Sequence, residues 1–338
     1  MFYSKTYVFQ FFPLYIYNLQ HGGEYKMTLD NDRELMNKVV WCYYMEDMTQ
    51  QSIANHLSIS RMRVIRLLER ARTEKLIRFT LREDAFQQME AQNKLMEHYG
   101  LQYVILVPSV SEDINLTVAK AAAMYLGERM GDGDFINVGF GDTATKTLNN
   151  LYIPDNMSIS LVSLSGGVKH YTIAPGVSKA NLYIVPAPFI ASTPEVAAAI
   201  QKEPSVKDVV NLASLAKFTV VGVGGVSENA TVVKEGNMST TDLLKLRAES
   251  AVGDILGYFL NKEGQVLKCH VHSRLISTAP DRLKEFPNVI AVAGGTEKAE
   301  AIDAVLKTGC IDILITDEDT GKAILELPTP SGNISRSK

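Results

Sequence analysis

Residues 49–71 read TQQSIANHLSISRMRVIRLLERA. Ala54 is a small residue where one short helix would have to let a second cross it closely. Ile53, Leu57, Ile59, Val64 and Leu67 supply the apolar lock between the two. The spacing predicts helix, tight turn, helix. Ser58 stands where glycine usually makes that turn, and Ser60 is a natural N-cap for the second helix. On that second helix Val64, Leu67, Leu68 and Ala71 share one face, while Arg63, Arg66 and Arg70 share another at spacings of three and four.

The charge around this stretch is segregated. Between Ser60 and Arg82 there are eight Lys or Arg and two Asp or Glu, a local charge of +6, so the rest of a chain of net charge −4 sums to −10. Such a concentration suits a phosphate backbone, and arginines near the start of a recognition helix suit base edges in the major groove. A solvated basic face on an ordinary helix pair is the other reading; spacing, cap and charge together favour double-stranded DNA. The candidate contacts are Thr49, Gln50, Ser60, Arg61, Arg63, Arg66 and Arg70. KLIRFTL (75–81) reads as a wing strand that brings Arg78 or Arg82 to the backbone.

Upstream, 30–45 is helix-like, with Leu35, Val39, Cys42 and Tyr43 at helical spacing. Downstream, 83–100 is a polar helix carrying Phe86, Met89, Leu95 and Met96 and ending at Gly100, a connector. From Tyr103 the texture changes to short apolar runs alternating with helical segments: 103–107, 135–141, 159–167, 182–188, 218–225, 289–295 and 311–317. Near-continuous apolar strands are buried on both faces, which calls for helices over a mostly parallel, Rossmann-like sheet. The expected division is a DNA-binding domain at 27–83, a linker helix at 84–100, a ligand-binding domain at 101–328 and a disordered tail at 329–338.

Bulk properties fit this α/β reading. The chain has 338 residues, 46% hydrophobic and 21% charged, enough for two or three globular domains. Cys42, Cys269 and Cys310 are isolated, as in a protein of the reducing cytoplasm. After Met27 no apolar run reaches membrane-spanning length, so no membrane partner is expected. The first 26 residues hold 9 of the 27 aromatics. Lys5, Gln10 and Pro13 interrupt them, which makes a poor membrane span, and no signal-peptide cleavage site follows. Gly22, Gly23 and Glu24 are what a translated ribosome-binding site would encode, a few codons before Met27. Residues 1–26 are therefore expected to be a misassigned start.

Several strands end in glycine, and in open α/β sheets ligands sit beyond the carboxyl ends of strands. Gly139, Phe140 and Gly141 follow a strand, and Thr143 and Thr145 open a helix whose first amides and dipole favour an anion. The stretch formally matches G-x-G-x-x-A. It is not the first strand–helix unit, however, and the next strand ends in SLSGG without an acidic residue for a ribose, which argues against NAD. Ser165, Gly166 and Gly167, and then Gly294 and Gly295, repeat the design; Lys298 follows the second pair within reach of a bound phosphate. Asp254 lies in an apolar setting between Gly253 and Gly257, where it either accepts from sugar hydroxyls or caps a turn. His270 and His272 are expected on one strand face; with no third ligand nearby, a structural histidine is favoured over a metal site. There is no nucleophile elbow and no H-E-x-x-H motif. No cofactor and no catalytic residue are expected.

The motifs together resemble the SorC family of bacterial sugar-responsive transcription regulators, from about residue 34 to 325. The resemblance is carried by TQQSIANHLSISRMRVIRLLE, VGFGDTATKTL, LVSLSGGV, NLYIVPAP, SVKDVV, AVGDILGYF, VAGGTEKAEAI and LITDEDTGKAIL. Within the family the chain is most similar to the Lsr-operon repressors of autoinducer-2 signalling. The resemblance implies a winged helix-turn-helix followed by an effector domain similar to sugar-phosphate isomerases and deaminases. It also implies a tetramer on operator DNA, controlled by a phosphorylated sugar, which for the Lsr branch is phosphorylated autoinducer-2. The family's ligand positions fall on the Gly139–Thr145 loop, Ser165, Gly166, Gly167, Asp254, Leu256 and Lys298. After Gly141 this chain reads Asp-Thr-Ala-Thr, so the phosphate hydroxyls are assigned to Thr143 or Thr145. A working sugar-phosphate isomerase or deaminase is the alternative. The deaminases are expected to carry Asp-Gly-His after the strand that here reads VVGVGGVSEN (220–229), and it is absent.

Overall fold

The computed structural model describes residues 30–77, 83–110, 112–167, 179–227, 230–234 and 236–328. The leader, the tail, and Arg78 and Arg82 of the expected wing lie outside them. The chain divides into two compact units, Met1–Glu83 and Asp84–Lys338.

The first unit is built from α1 (Asp30–Tyr44), α2 (Gln50–His56) and α3 (Arg61–Thr73). Two hydroxyls start the second and third helices. Thr49 Oγ1 accepts from the Ser52 amide at 3.1 Å, and Ser60 Oγ accepts from the Arg63 amide at 3.2 Å. Each satisfies an amide that the helix itself leaves unpaired. Between the helices Ser58 adopts φ 52°, the left-handed conformation expected of a turn glycine. The core joins Ile53, Ala54, Val64, Leu67, Leu68 and Ala71 to Met36, Val39, Val40 and Cys42 of α1. The buried face of α1 is thus rotated from the expected one: Leu35 and Tyr43 stay at its edge while Met36 and Val40 go inside. Both sets have helical period, and only packing against α2 and α3 selects between them.

The second unit opens with α4 (Glu83–Tyr99), which stops where Gly100 takes φ 64°. There follow β1 (Tyr103–Val107), α5 (Ile114–Gly127), β2 (Phe135–Val138), α6 (Asp142–Asn149), β3 (Ser160–Ser163), β4 (Asn181–Tyr183), α7 (Pro194–Ile200), α8 (Pro204–Leu212), β5 (Ala216–Gly222) and β6 (Gly224–Gly225). Then come α9 (Thr231–Lys234), α10 (Thr240–Ala248), β7 (Gly253–Ile255), β8 (Tyr258–Leu260), α11 (Pro280–Leu283), β9 (Val289–Val292), α12 (Ala299–Lys307), β10 (Ile313–Asp317) and α13 (Glu318–Glu326).

Seven strands form one sheet in the order β1-β10-β9-β5-β2-β3-β4, every pairing parallel. Strands β6, β7 and β8 form a small antiparallel sheet. Alternation within β9 shows how the layers are made. Val289 and Ala291 join the core under α4 and α12, whereas Ile290 and Val292 join the core under α5 and α6. Fully burying an aliphatic side chain of this size stabilises by about 1.5–3 kcal/mol, so the two layers together hold the sheet between helices. From β2 the chain runs outward to β3 and β4, then returns to β5 on the other side of β2 and continues to β9 and β10. The carboxyl ends of β2, β5 and β9 therefore border the place where strand order reverses. Among the described residues no helix is long and apolar enough to cross a membrane.

Candidate functional site

On the first unit the arginines of α3 differ in their partners. Arg63 pairs with Asp32 of α1 at 2.9 Å, and Arg70 pairs with Glu74 at 2.6 Å. Arg72 donates to the Tyr44 hydroxyl. Arg61 and Arg66 are exposed and have no ion-pair partner among the described residues. Thr49 and Ser60, read as DNA contacts, spend their hydroxyls on helix caps. Gln50 is the first residue of α2.

In the second unit the residues marked by glycine-ended strands lie beyond the carboxyl ends of β2, β3, β5 and β9. The Gly139 amide is taken by the Val220 carbonyl at 2.7 Å. A Cβ on Gly139 would lie 2.7 Å from Leu256 Cδ2, so what glycine permits there is the approach of Leu256. The free amides come one step later: those of Gly141, Asp142, Thr143 and Ala144 have no acceptor among the described residues. They start α6 and carry the positive end of its dipole. Phe140 stacks on Phe189, ring centroids 4.5 Å apart. Thr143 is buried and Thr145 half-buried.

Asp254 sits on β7 against Gly224 of β6, where a Cβ would lie 1.9 Å from its Oδ1. Its Oδ2 accepts from the Gly257 amide at 2.9 Å, closing a hairpin turn in which Leu256 and Gly257 both have positive φ, 54° and 84°. Of the two roles open to Asp254, the turn cap is the one made. Burial pushes its carboxyl up to about 6, against the pull of that single amide.

Lys298 closes the turn after Gly294 and Gly295 and stands at the start of α12. The turn is tied down by β10 and α13: the Gly295 amide donates to Asp317 Oδ2 at 3.0 Å and to Thr320 Oγ1 at 2.9 Å. Lys298 Nζ donates to Asn115 Oδ1 at 3.2 Å, and Asn115 Nδ2 donates to Asp142 Oδ2 at 3.0 Å. Asn115 thus links Lys298 to the first residue of α6. Burial lowers the lysine's pKa, more than Glu297 and Asp142 raise it. For the neighbouring Lys146, burial also disfavours the charge, but its bonds to Asp113 and Asp142 outweigh it and raise the pKa.

Two expectations change. His270 and His272 are not on a strand: the segment is a turn running into a 3₁₀ helix, His272–Arg274. Short apolar runs do not distinguish these cases by period. His272 Nε2 accepts from the Phe259 amide at 2.9 Å, and burial lowers its pKa, so it is a neutral, structural group. The amides of Gly166 and Gly167 donate to Ile276 O and Ala187 O, both at 2.9 Å. Gly166 is small because the Pro188 carbonyl lies 2.3 Å from where its Cβ would be. Ser165 is buried, and its hydroxyl has no partner among the described residues.

Residues 83–326 match the family described as "Putative sugar-binding domain", and residues 33–74 match "Sigma-70, region 4". The transcriptional regulator LsrR of Enterobacter sp. (strain 638) is 35% identical over 303 residues, 88% of this chain and 94% of its own. LsrR of Escherichia coli (strain K12) is 35% identical over 301 residues, 87% of this chain and 95% of its own. The chain belongs to the SorC family of sugar-binding transcriptional regulators. The SorC-type fold is shared with the full-length sorbitol operon regulator SorC of Klebsiella pneumoniae, TM-score 0.63 at 22% identity over 87% of this chain and 99% of that one. A DeoR family transcriptional regulator from Listeria monocytogenes aligns with TM-score 0.64 at 25% identity, over 70% of this chain and 99% of that one. As a member of the SorC family the chain is a regulator rather than an enzyme.

Asn115, Phe189 and Gly224 escaped the sequence reading. Gly224 left a signal, a glycine inside an apolar strand run, which marks close approach of another group. Asn115 and Phe189 left none, because their roles arise only when distant loops meet.

Proposed function

We propose that the chain is a repressor whose binding to operator DNA is controlled by phosphorylated autoinducer-2, acting as a homotetramer in the cytoplasm. Arg61, Arg63, Arg66 and Arg70 of α3, with Gln50, face the duplex, and Thr49 and Ser60 set the helices that present them. The free amides at the start of α6 and the ammonium of Lys298 receive the phosphate, with Gly139, Phe140, Gly141, Thr143, Thr145, Ser165, Gly166, Gly167, Asp254 and Leu256 around the sugar moiety. The observation that carries this reading is the partly buried Lys298, without a carboxylate partner among the described residues and joined through Asn115 to a helix start with unused amides. A desolvated cation beside free N–H groups is a receptor for a doubly charged oxyanion. The Lsr-type effector follows from the resemblance to that branch and from LsrR relatives at 35% identity.

The test is fluorescence anisotropy with DNA upstream of a neighbouring sugar operon. The protein should bind at low salt, and phosphorylated autoinducer-2 should release it where the unphosphorylated form does not. Lys298→Ala should keep the DNA and lose the release. Indifference to that DNA at low salt would sink the reading. Sedimentation should give a tetramer.

A further inference from the structure

Lys298 is placed where a lysine ought to find a carboxylate and does not take one. Asp142 and Lys146 face it from α6, Glu297 from its own turn, Asp317 from β10 and Asn115 from α5. Lys146 shows what this neighbourhood does to an ammonium, for it pairs with Asp113 at 2.7 Å and with Asp142 at 2.9 Å. Lys298 instead donates to a neutral amide oxygen, and the same amide spends its N–H on Asp142. The orientation of the amide is forced by chemistry. An ammonium has only donors and an ionised carboxylate only acceptors, so Oδ1 must face Lys298 and Nδ2 must face Asp142.

We propose that Asn115 is a positioning residue that keeps Lys298 open to an anion: it holds the ammonium by a neutral hydrogen bond and, together with Lys146, occupies the Asp142 carboxylate that would otherwise pair with it. This rests on the phosphate reading of the site. A partly buried ion pair must be broken before an incoming phosphate can use the cation, and breaking it leaves a carboxylate unpaired. A neutral hydrogen bond contributes less and yields more readily. Asparagine is suited to the place because it carries a donor and an acceptor on one short, uncharged group. Aspartate there would pair with Lys298 and repel Asp142. An apolar residue would let Lys298 and Asp142 meet.

The experiment is a double-mutant cycle on the full chain, read by calorimetric titration with inorganic phosphate at pH 7. The unsubstituted protein should bind and Lys298→Ala should not. Asn115→Ala should weaken binding about tenfold, a coupling of the size expected for groups in one network. In an Asp142→Asn background the same Asn115→Ala change should cost less than about twofold, because the competing carboxylate is gone. A merely structural lesion would cost the same in both backgrounds, and that result overturns the proposal. So does phosphate binding that Lys298→Ala abolishes and Asn115→Ala leaves unchanged; the phosphate site itself then stands. If the unsubstituted protein binds no phosphate, the site reading and the role of Asn115 fall together.

Discussion

Leu256 Cδ2 occupies the space that a side chain on Gly139 would need, 2.7 Å from the position of its Cβ, with Val221 Cγ1 at 3.2 Å. Gly139 follows β2 of the large sheet and Leu256 lies in the turn between β7 and β8 of the small one, and their close approach sets the hairpin turn of Asp254 against the loop that opens α6. Gly139→Ala should therefore overpack the site and cost about 1–3 kcal/mol of stability, measured by urea unfolding. A loss below about 0.5 kcal/mol would show that the hairpin moves aside freely.

Asp254 should leave a signature in stability against pH. Its folded pKa of about 6 lies above the ordinary carboxylate range, so the folded state holds the proton more tightly than the unfolded chain does. The contribution is full below about pH 4 and is lost as pH rises through about 6. At most about 3 kcal/mol is involved, less what water recovers at the partly open side chain. Asp254→Asn should flatten the melting-temperature profile between pH 4 and 7. An unchanged profile would mean that burial does not hold the proton there.

Tyr99, the last residue of α4, donates from its hydroxyl to Asp303 Oδ1 of α12 at 2.7 Å, both residues buried. Lys307 pairs with the other oxygen at 2.6 Å. Tyr99→Phe keeps the ring and leaves one carboxylate oxygen without its donor, so chemical denaturation should show a loss of about 1–3 kcal/mol.

For DNA binding, the exposed Arg66 and the paired Arg63 should behave differently. Each phosphate contact contributes about 0.9 to the slope of log affinity against log salt, so Arg66→Ala should flatten that slope by about one contact. Asp32→Asn frees Arg63 from an exposed ion pair worth under about 1 kcal/mol. It should barely change the melting temperature while raising affinity for unrelated duplex at low salt.

How much of this was legible depends on the range of the interaction. The helix pair and its caps could be read because Ser60 meets the Arg63 amide three residues away. The strands could be read because β9 and β10 are apolar on both faces. Glycine pairs marked the right turns but not their purpose. Gly139 and Gly166 serve close side-chain or backbone approach, Gly167 a positive φ of 102°, and Gly141 contributes an amide with no acceptor among the described residues. The link from Lys298 to Asn115 spans 183 positions and carries no local pattern, so nothing short of the fold could reveal it. The histidines failed for the converse reason: a short apolar run is compatible with strand and with turn alike.

Ser58 holds a backbone angle of 52° that glycine would adopt without penalty, at a cost of about 1 kcal/mol. Its neighbours are nonetheless bonded in order, Leu57 N to Ile53 O at 2.9 Å and Ile59 N to Ala54 O at 3.0 Å. The corner between α2 and α3 is thus a clamped joint and not a hinge. The crossing of the two helices is dictated by Ile53, Val64 and Leu67 in the core, and the serine bends to suit them. The presented arginines inherit their aim from oil packed beneath them, and the loop is free to vary in composition so long as that packing stays.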